Sequence, residues 1–256
     1  MCINLAQSLF SCAPRLWYDS RMKYKRILLK LSGESLLGNR SHGIDPEACA
    51  FMAREIKGIV EAGVEVAVVL GGGNIFRGAA AEDQGMDRIT GDTLGMLATI
   101  MNSLALGSAL EKIGVENRVQ SAIDMPKICE SYVRNKAVNQ LEKGRVVIIG
   151  GGSGDPYFST DTAAAIRACE LNCEIVLKAT KVDGVHDKDP EKHTDTTKFA
   201  ELSYLEVINN PNLNAMDSTS ITLCMENNLP IIVFELMKEG NIRKVVEGEK
   251  IGTIIK

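Results

Sequence analysis

Hydrophobic positions along the chain alternate between two rhythms. Short, nearly unbroken apolar runs are separated by longer stretches in which apolar residues recur every three or four positions. The runs at Arg26–Leu31 (RILLKL), 64–70 (VEVAVVL), 116–123, 145–149 (RVVII), 174–179 (EIVLKA), 231–235 and 252–255 predict β-strands. The intervening periodic stretches predict helices over 45–62, 93–113, 127–143, 160–172, 203–209, 216–227 and 240–247. Asp45 followed by Pro46 supplies an N-cap and a first-turn proline for the first of these. Residues 180–202 are polar and rich in turn formers.

Strands that are apolar throughout, instead of alternating apolar and polar, must be covered on both faces. That favours a parallel sheet with helices on either side. The expected fold class is therefore α/β: a three-layer α/β/α sandwich with a mainly parallel central sheet. No fixed-period repeat or low-complexity linker divides the chain, so one domain is expected over 22–256, with a substrate half at 22–150 and a nucleotide half at 151–256. Residues 1–21 read differently. They have no basic stretch before their apolar residues, and Ser8, Ser11 and Pro14 interrupt them, so no secretory signal is expected. Met22 opens the basic segment before the first strand and is the expected natural start.

Composition narrows the function classes. The chain has 256 residues, a net charge of −4 and a pI near 5.6, which argues against nucleic acid as its main ligand. No uninterrupted apolar stretch of the length needed to span a bilayer is evident, so no membrane span is expected. Seven cysteines form no disulfide ladder and no C-x-x-C, and His42, His186 and His193 are scattered. Reduced thiols, partly in the core, are expected in place of a zinc site.

The glycines are informative by position. Three strands run into glycine-rich turns: Ser32-Gly33 after the first, Gly71-Gly72-Gly73-Asn74-Ile75-Phe76-Arg77-Gly78 after the second, and Gly150-Gly151-Gly152-Ser153-Gly154 after the fourth. In a parallel sheet such turns share the carboxyl edge, where ligands bind, and their backbone N–H groups suit phosphate. Lys30, Arg77 and Lys178 add cations at the same edge. A lysine in an apolar strand is costly unless it meets an anion. Asp92, Asp161 and Asp217 stand before or at expected helix starts, where each would serve equally as an N-cap. No Gly-Lys-Ser/Thr and no G-x-G-x-x-G occurs, which argues against a P-loop or dinucleotide fingerprint. The residues alone point to an α/β enzyme handling phosphate through a non-Walker site.

Taken in order, YKRILLKLSGE from Tyr24, GGGNIFRG at 71–78, Gly91-Asp92 with Gly95-Met96-Leu97-Ala98-Thr99, and LKATKVDGV from Leu177 closely resemble the bacterial UMP kinases, a branch of the amino acid kinase family. The likeness spans 23–256 and implies the amino acid kinase fold and transfer of the ATP γ-phosphoryl group to UMP. It implies catalytic roles for Lys30, Lys178, Arg77 and Asp217, the last as the aspartate that positions the lysines. ATP is expected at Lys30, Leu31, Ser32, Gly33, Gly73, Arg77, Thr180, His186 and Asp189. UMP is expected at Gly72, Asp92, Ser153, Gly154, Asp155, Pro156, Tyr157, Phe158, Ser159 and Thr160. Mg²⁺ is expected to arrive on the nucleotide phosphates, with no metal site in the protein. A cytoplasmic homohexamer, activated by GTP and inhibited by UTP, also follows from the resemblance. Ser153, Asp155 and His186 depart from the residues usual in that branch. Within the fold the competing reading is a carboxylate or carbamate kinase, and in another class it is a regulatory nucleotide-binding protein without catalysis.

Overall fold

The structure, a computed structural model, describes residues 19–77, 85–190, 192–213 and 215–256. Residues 1–18, most of the segment that precedes the expected start at Met22, and Gly78 of the second glycine turn lie outside the described residues. The sheet has nine strands: β1 (Arg26–Leu31), β2 (Glu65–Leu70), β3 (Asn117–Ser121), β4 (Glu130–Ser131), β5 (Val146–Gly150), β6 (Ile175–Thr180), β7 (Glu201–Leu202), β8 (Ile231–Glu235) and β9 (Thr253–Ile255). Their spatial order is β4-β3-β5-β2-β1-β6-β8-β9-β7. Every pairing is parallel except β8 with β9.

Among the described residues seven α-helices cover the two faces: α1 (Pro46–Val60), α2 (Arg88–Lys112), α3 (Arg134–Glu142), α4 (Thr160–Glu170), α5 (Tyr204–Asn209), α6 (Ser218–Glu226) and α7 (Asn241–Glu247). The period-two alternation of β1 assigns the faces. Ile27, Leu29 and Leu31 pack with Met52 and Ile56 of α1, Leu106 and Leu110 of α2, and Val245 of α7. Leu28 faces the other way, into a core with Ala137 and Leu141 of α3, Ala164 and Ala168 of α4, and Ile221 and Cys224 of α6. This is the expected three-layer sandwich. Cys173 and Cys224 are buried among these side chains, and burial pushes both thiols up to about 12.

Local chemistry sets the element ends. Asp45 caps α1 as expected, its carboxylate accepting from the Glu47 N–H at 2.9 Å, with Pro46 in the first turn. Helix α2 starts five residues before the expected Thr93, because Asp87 and not Asp92 is its N-cap and accepts from the Thr90 N–H at 3.0 Å. Asp92 therefore lies inside the helix. The helix expected over 127–143 is also corrected. Residues 125–129 form turns, Glu130 and Ser131 pair with Gln120 and Ser121 as β4, and the helix begins only at Arg134. Pairing at the sheet edge overrides a weak helical pattern there. By length and hydropathy α2 is long enough to cross a membrane, but Ile100, Leu106 and Leu110 are buried within the domain, as in a core helix.

A buried amide pair fastens α2 to the turn after β2. Asn74 and Asn102 donate to each other's carbonyl oxygens at 3.0 and 2.7 Å, Asn102 also donates to the Gly71 carbonyl, and Asn74 to the Gly43 carbonyl. Removing one partner strands the other without water. Asn102→Ala is expected to destabilise the fold by about 1–3 kcal/mol, measured by urea unfolding.

Candidate active site

Parallel pairing sets Lys30 of β1 directly opposite Lys178 of β6. Register partners in a parallel pair project from the same face of strands about 4.8 Å apart, so two ammonium groups converge. The chain leaves β1 towards β2 and leaves β6 towards β7 at the far edge, in opposite directions across the sheet. Open α/β sheets hold ligands at the carboxyl ends of strands where the winding reverses in this way. The face is that of Leu28, which α4 covers, so both lysines meet the first turn of α4.

Asp161 stands there between them. Its Oδ1 lies 2.7 Å from Lys30 Nζ and its Oδ2 lies 2.7 Å from Lys178 Nζ. Lys178 makes an aligned hydrogen bond to Asp161 and a second to the Ala215 carbonyl, whereas Lys30 approaches as an ion pair without that alignment. Burial alone would raise the Asp161 pKa; the two ammonium groups outweigh it and hold the carboxyl down at about 2. Lys178 falls below the ordinary lysine value, because burial disfavours its charge more than Asp161 restores it, and Lys30 adds repulsion.

The helix-start reading of Asp161 is corrected by the same geometry. Ser159 is the N-cap of α4, accepting from the Thr162 N–H at 3.0 Å, which leaves the Asp161 carboxylate for the lysines. Asp217, expected to position the lysines, hydrogen-bonds neither of them. It caps α6 through the Ser220 N–H and accepts from Ser159 Oγ at 2.5 Å and Thr162 Oγ1 at 2.9 Å, fastening the starts of α4 and α6 together. Its charge reaches Lys178 only through space.

Two cavities flank this centre. The larger, about 560 Å³, is lined by Lys30, Ser32, Lys178 and Thr180 with Glu34, Lys181 and Leu236. The smaller, about 200 Å³, is lined by Gly72, Gly73, Asp92, Asp155, Phe158, Ser159 and Thr160, with Met96, Thr99 and Gly152. The glycine turns meet closely between them. A Cβ on Gly33 would come within 2.8 Å of both the Gly71 carbonyl oxygen and the Gly73 nitrogen, so only glycine permits this approach. Glu34, in the short 3-10 turn Gly33–Leu36, binds one cation from each side: Arg77 through Oε1, and Lys181 through Oε2 at 2.8 Å. The hydrogen bond from Lys181 leads the causes that lower its pKa.

Several expected residues sit elsewhere. The Leu31 side chain points into the opposite core. The His186 ring is engaged by Thr196 Oγ1 at 3.0 Å and Asp183 Oδ1 at 2.8 Å within the 182–198 segment, and Asp189 pairs with Lys192 there; neither lines the larger cavity. Ser153 turns its hydroxyl back onto Asp155. Ser153, Gly154, Pro156 and Tyr157 are outside the lining of the smaller cavity. Asp161, Glu34 and Lys181 were not selected from the sequence as site residues. In the sequence Asp161 reads equally as a helix cap, and only the pairing of β1 with β6 beneath α4 sets it over two lysines.

The family model for the amino acid kinase family matches residues 25–235. The chain belongs to the amino acid kinase family. Among solved structures, the UMP kinase from Bacillus anthracis is 39% identical with a TM-score of 0.87, over 91% of this chain and 96% of that one. The UMP kinase from Ureaplasma parvum is 39% identical with a TM-score of 0.85, over 92% and 100%, and the uridylate kinase from Archaeoglobus fulgidus 28% identical with 0.69, over 90% and 99%. As an amino acid kinase family member, the chain is a phosphotransferase with a nucleotide-binding site.

Folding places Asp161 below its unfolded pKa of about 3.9. Its contribution to stability is therefore complete above pH ~4 and is lost as pH falls towards 2. Asp161→Asn leaves two buried ammonium groups without a counter-charge, and is expected to cost about 3–5 kcal/mol at pH 7. Chemical denaturation should show the deficit narrowing at alkaline pH, as Lys178, held below the ordinary lysine value, loses its proton.

Proposed function

We propose that the chain transfers the γ-phosphoryl group of ATP to UMP, giving UDP and ADP. The observation that carries this reading is the Lys30–Asp161–Lys178 centre between two cavities of unequal size at the carboxyl edge of the sheet. The 39% identity to two UMP kinases over nine-tenths of the chain supports UMP as acceptor. On this reading residues 151–256 contribute most of the ATP half and 22–150 most of the UMP half. Ser32, Gly33 and Gly73 cradle ATP phosphates, Thr180, His186 and Asp189 hold the adenosine side, and Gly72, Asp92 and the 153–160 segment hold UMP.

The chemistry asks for alignment and neutralisation more than for covalent help. A nucleoside monophosphate is largely dianionic at pH 7, its second pKa being about 6, so its oxygen attacks without a general base. An oxygen–phosphorus bond forms to the γ-phosphorus as the bond to the bridging β–γ oxygen breaks, and ADP leaves with that electron pair. Lys30 and Lys178 stabilise the charge spread over the transferring group, Asp161 holds both ammonium groups in place, and Arg77 offers a bidentate guanidinium. The N-terminus of α4, at the same edge, adds aligned backbone donors.

Mg²⁺ would supply further charge neutralisation on the phosphate oxygens. Among the described residues no three histidine, cysteine or acidic side chains gather to ligate a metal, and Asp161 is engaged by lysines through both oxygens. The donor set thus fits an ion held mainly by nucleotide oxygens and water, as Mg²⁺ prefers. A cytoplasmic homohexamer with GTP as activator and UTP as inhibitor belongs to the same reading.

A coupled ADP-release assay with UMP, CMP, acetylglutamate and carbamate as acceptors tests it. Turnover is expected with UMP; turnover with another acceptor and none with UMP overturns the proposal. In the same assay Lys30→Ala should lower kcat by on the order of 10²-fold or more, and near-normal turnover would remove Lys30 from the catalytic group.

A further inference from the structure

Among the described residues the charged residues with less than a tenth of their surface exposed are Lys30, Glu65 and Arg167. Lys30 belongs to the reacting centre and Glu65 pairs with Arg26 at 2.5 Å. Arg167, on α4 and only 6% exposed, has neither role. Its guanidinium lies 4.2 Å from the Tyr132 ring centroid, donates from Nη1 to Glu170 Oε2 at 2.7 Å, and from Nη2 to the Ser153 carbonyl at 3.2 Å. Its Nε has no partner. The Tyr132 hydroxyl donates to the same Glu170 oxygen at 2.7 Å. Aromatic ring and carboxylate together fix the plane of the guanidinium, and the remaining fork points at one backbone carbonyl.

That carbonyl belongs to a backbone with little to hold it. Gly151, Gly152 and Gly154 adopt φ of +79°, +59° and +95°, and Tyr157, which is not glycine, adopts +72°. A left-handed tyrosine costs on the order of 1–3 kcal/mol and persists only if its surroundings impose it. Three hydrogen bonds tie this segment to the rest of the fold: the Gly151 N–H to Thr99 Oγ1 at 2.8 Å, the Tyr157 N–H to Asp92 Oδ2 at 2.7 Å, and Arg167 to Ser153 between them; the Arg88 guanidinium also lies 5.6 Å from the Tyr157 ring centroid. The segment contributes Gly152, Asp155 and Phe158 to the smaller cavity. A buried guanidinium is a poor way to gain stability, and lysine cannot reproduce a planar fork that meets a ring, a carboxylate and a carbonyl at once.

We propose that Arg167 is a positioning residue for the acceptor nucleotide: held by Tyr132 and Glu170, it fixes the Ser153 carbonyl and thereby the shape of the 151–158 segment over the smaller cavity. The assignment of that cavity to the acceptor rests on the function proposed above. Arg167 touches no reacting atom, so its loss acts on acceptor binding and leaves the donor side alone.

Arg167→Lys keeps the charge and removes the fork. It should raise KM for UMP about 5–10-fold, as for loss of a hydrogen bond to a charged donor, with KM for ATP unchanged within twofold. Glu170→Gln, which keeps an acceptor for both the guanidinium and the tyrosine, should show a smaller rise in the same parameter and serves if the lysine variant does not fold. Hydrogen exchange of the amides at 151–158 reads the positioning without substrate: it should quicken in Arg167→Lys while amides of β1 and β6 stay as in the parent. Unchanged exchange at 151–158, or equal rises in both KM values, overturns the assignment. Quickened exchange in a protein whose parent shows no turnover of UMP would leave the positioning role standing and overturn the proposed reaction.

Discussion

Two lysines in register on neighbouring parallel strands cannot share one face of a sheet without an anion between them. Their ammonium groups are brought together by backbone pairing that neither side chain controls. Asp161 resolves the conflict, and much of the site follows from where it has to stand. The carboxylate must come from the layer above the sheet, so α4 must begin over the carboxyl ends of β1 and β6. For α4 to begin there, its first N–H groups need a cap other than Asp161, which Ser159 provides. Ser159 is steadied in turn by Asp217 at the start of α6. The glycine-rich segment that delivers the chain to Ser159 is thereby drawn across the edge of the sheet, where it forms one wall of the smaller cavity.

The lysine–aspartate centre is thus assembled from strand register and helix starts, not from a single contiguous motif. Loops only border it. Gly33 and the glycines after β2 touch almost backbone to backbone. Because the lysines issue from the two central strands, the least mobile part of such a fold, their placement is rigid before any ligand arrives.

The layers and the parallel sheet were legible in the sequence because both faces of β1, β2, β5, β6 and β8 are buried, which writes the strands as unbroken apolar runs. The cap at Asp45 was legible because Pro46 marks it. The start of α2 was not: Arg88 to Asp92 carry little apolar periodicity, and the cap that decides the boundary lies farther back at Asp87. Strand β4 was hidden because two residues paired at a sheet edge leave no pattern of their own. The two lysines were legible as charged positions in apolar strands, but their counter-ion was not. Asp161 and Asp217 both stand near helix starts, and only the relative placement of α4 and the sheet separates a carboxylate that neutralises lysines from one that caps. The resemblance to UMP kinases pointed to Asp217 for a task that the geometry gives to Asp161.

The Glu34 contacts with Arg77 and Lys181 have a consequence for selectivity. Together with Asp161 on Lys30 and Lys178, they mean that each of these four cations of the site already has a carboxylate partner. The site therefore projects little bare positive potential into solvent, in keeping with the acidic pI of the whole chain. A phosphate gains from these cations only by exchanging places with a carboxylate at contact distance. Discrimination is moved from the approach to the final few ångströms, where the fit of a nucleotide decides whether the exchange is worth making.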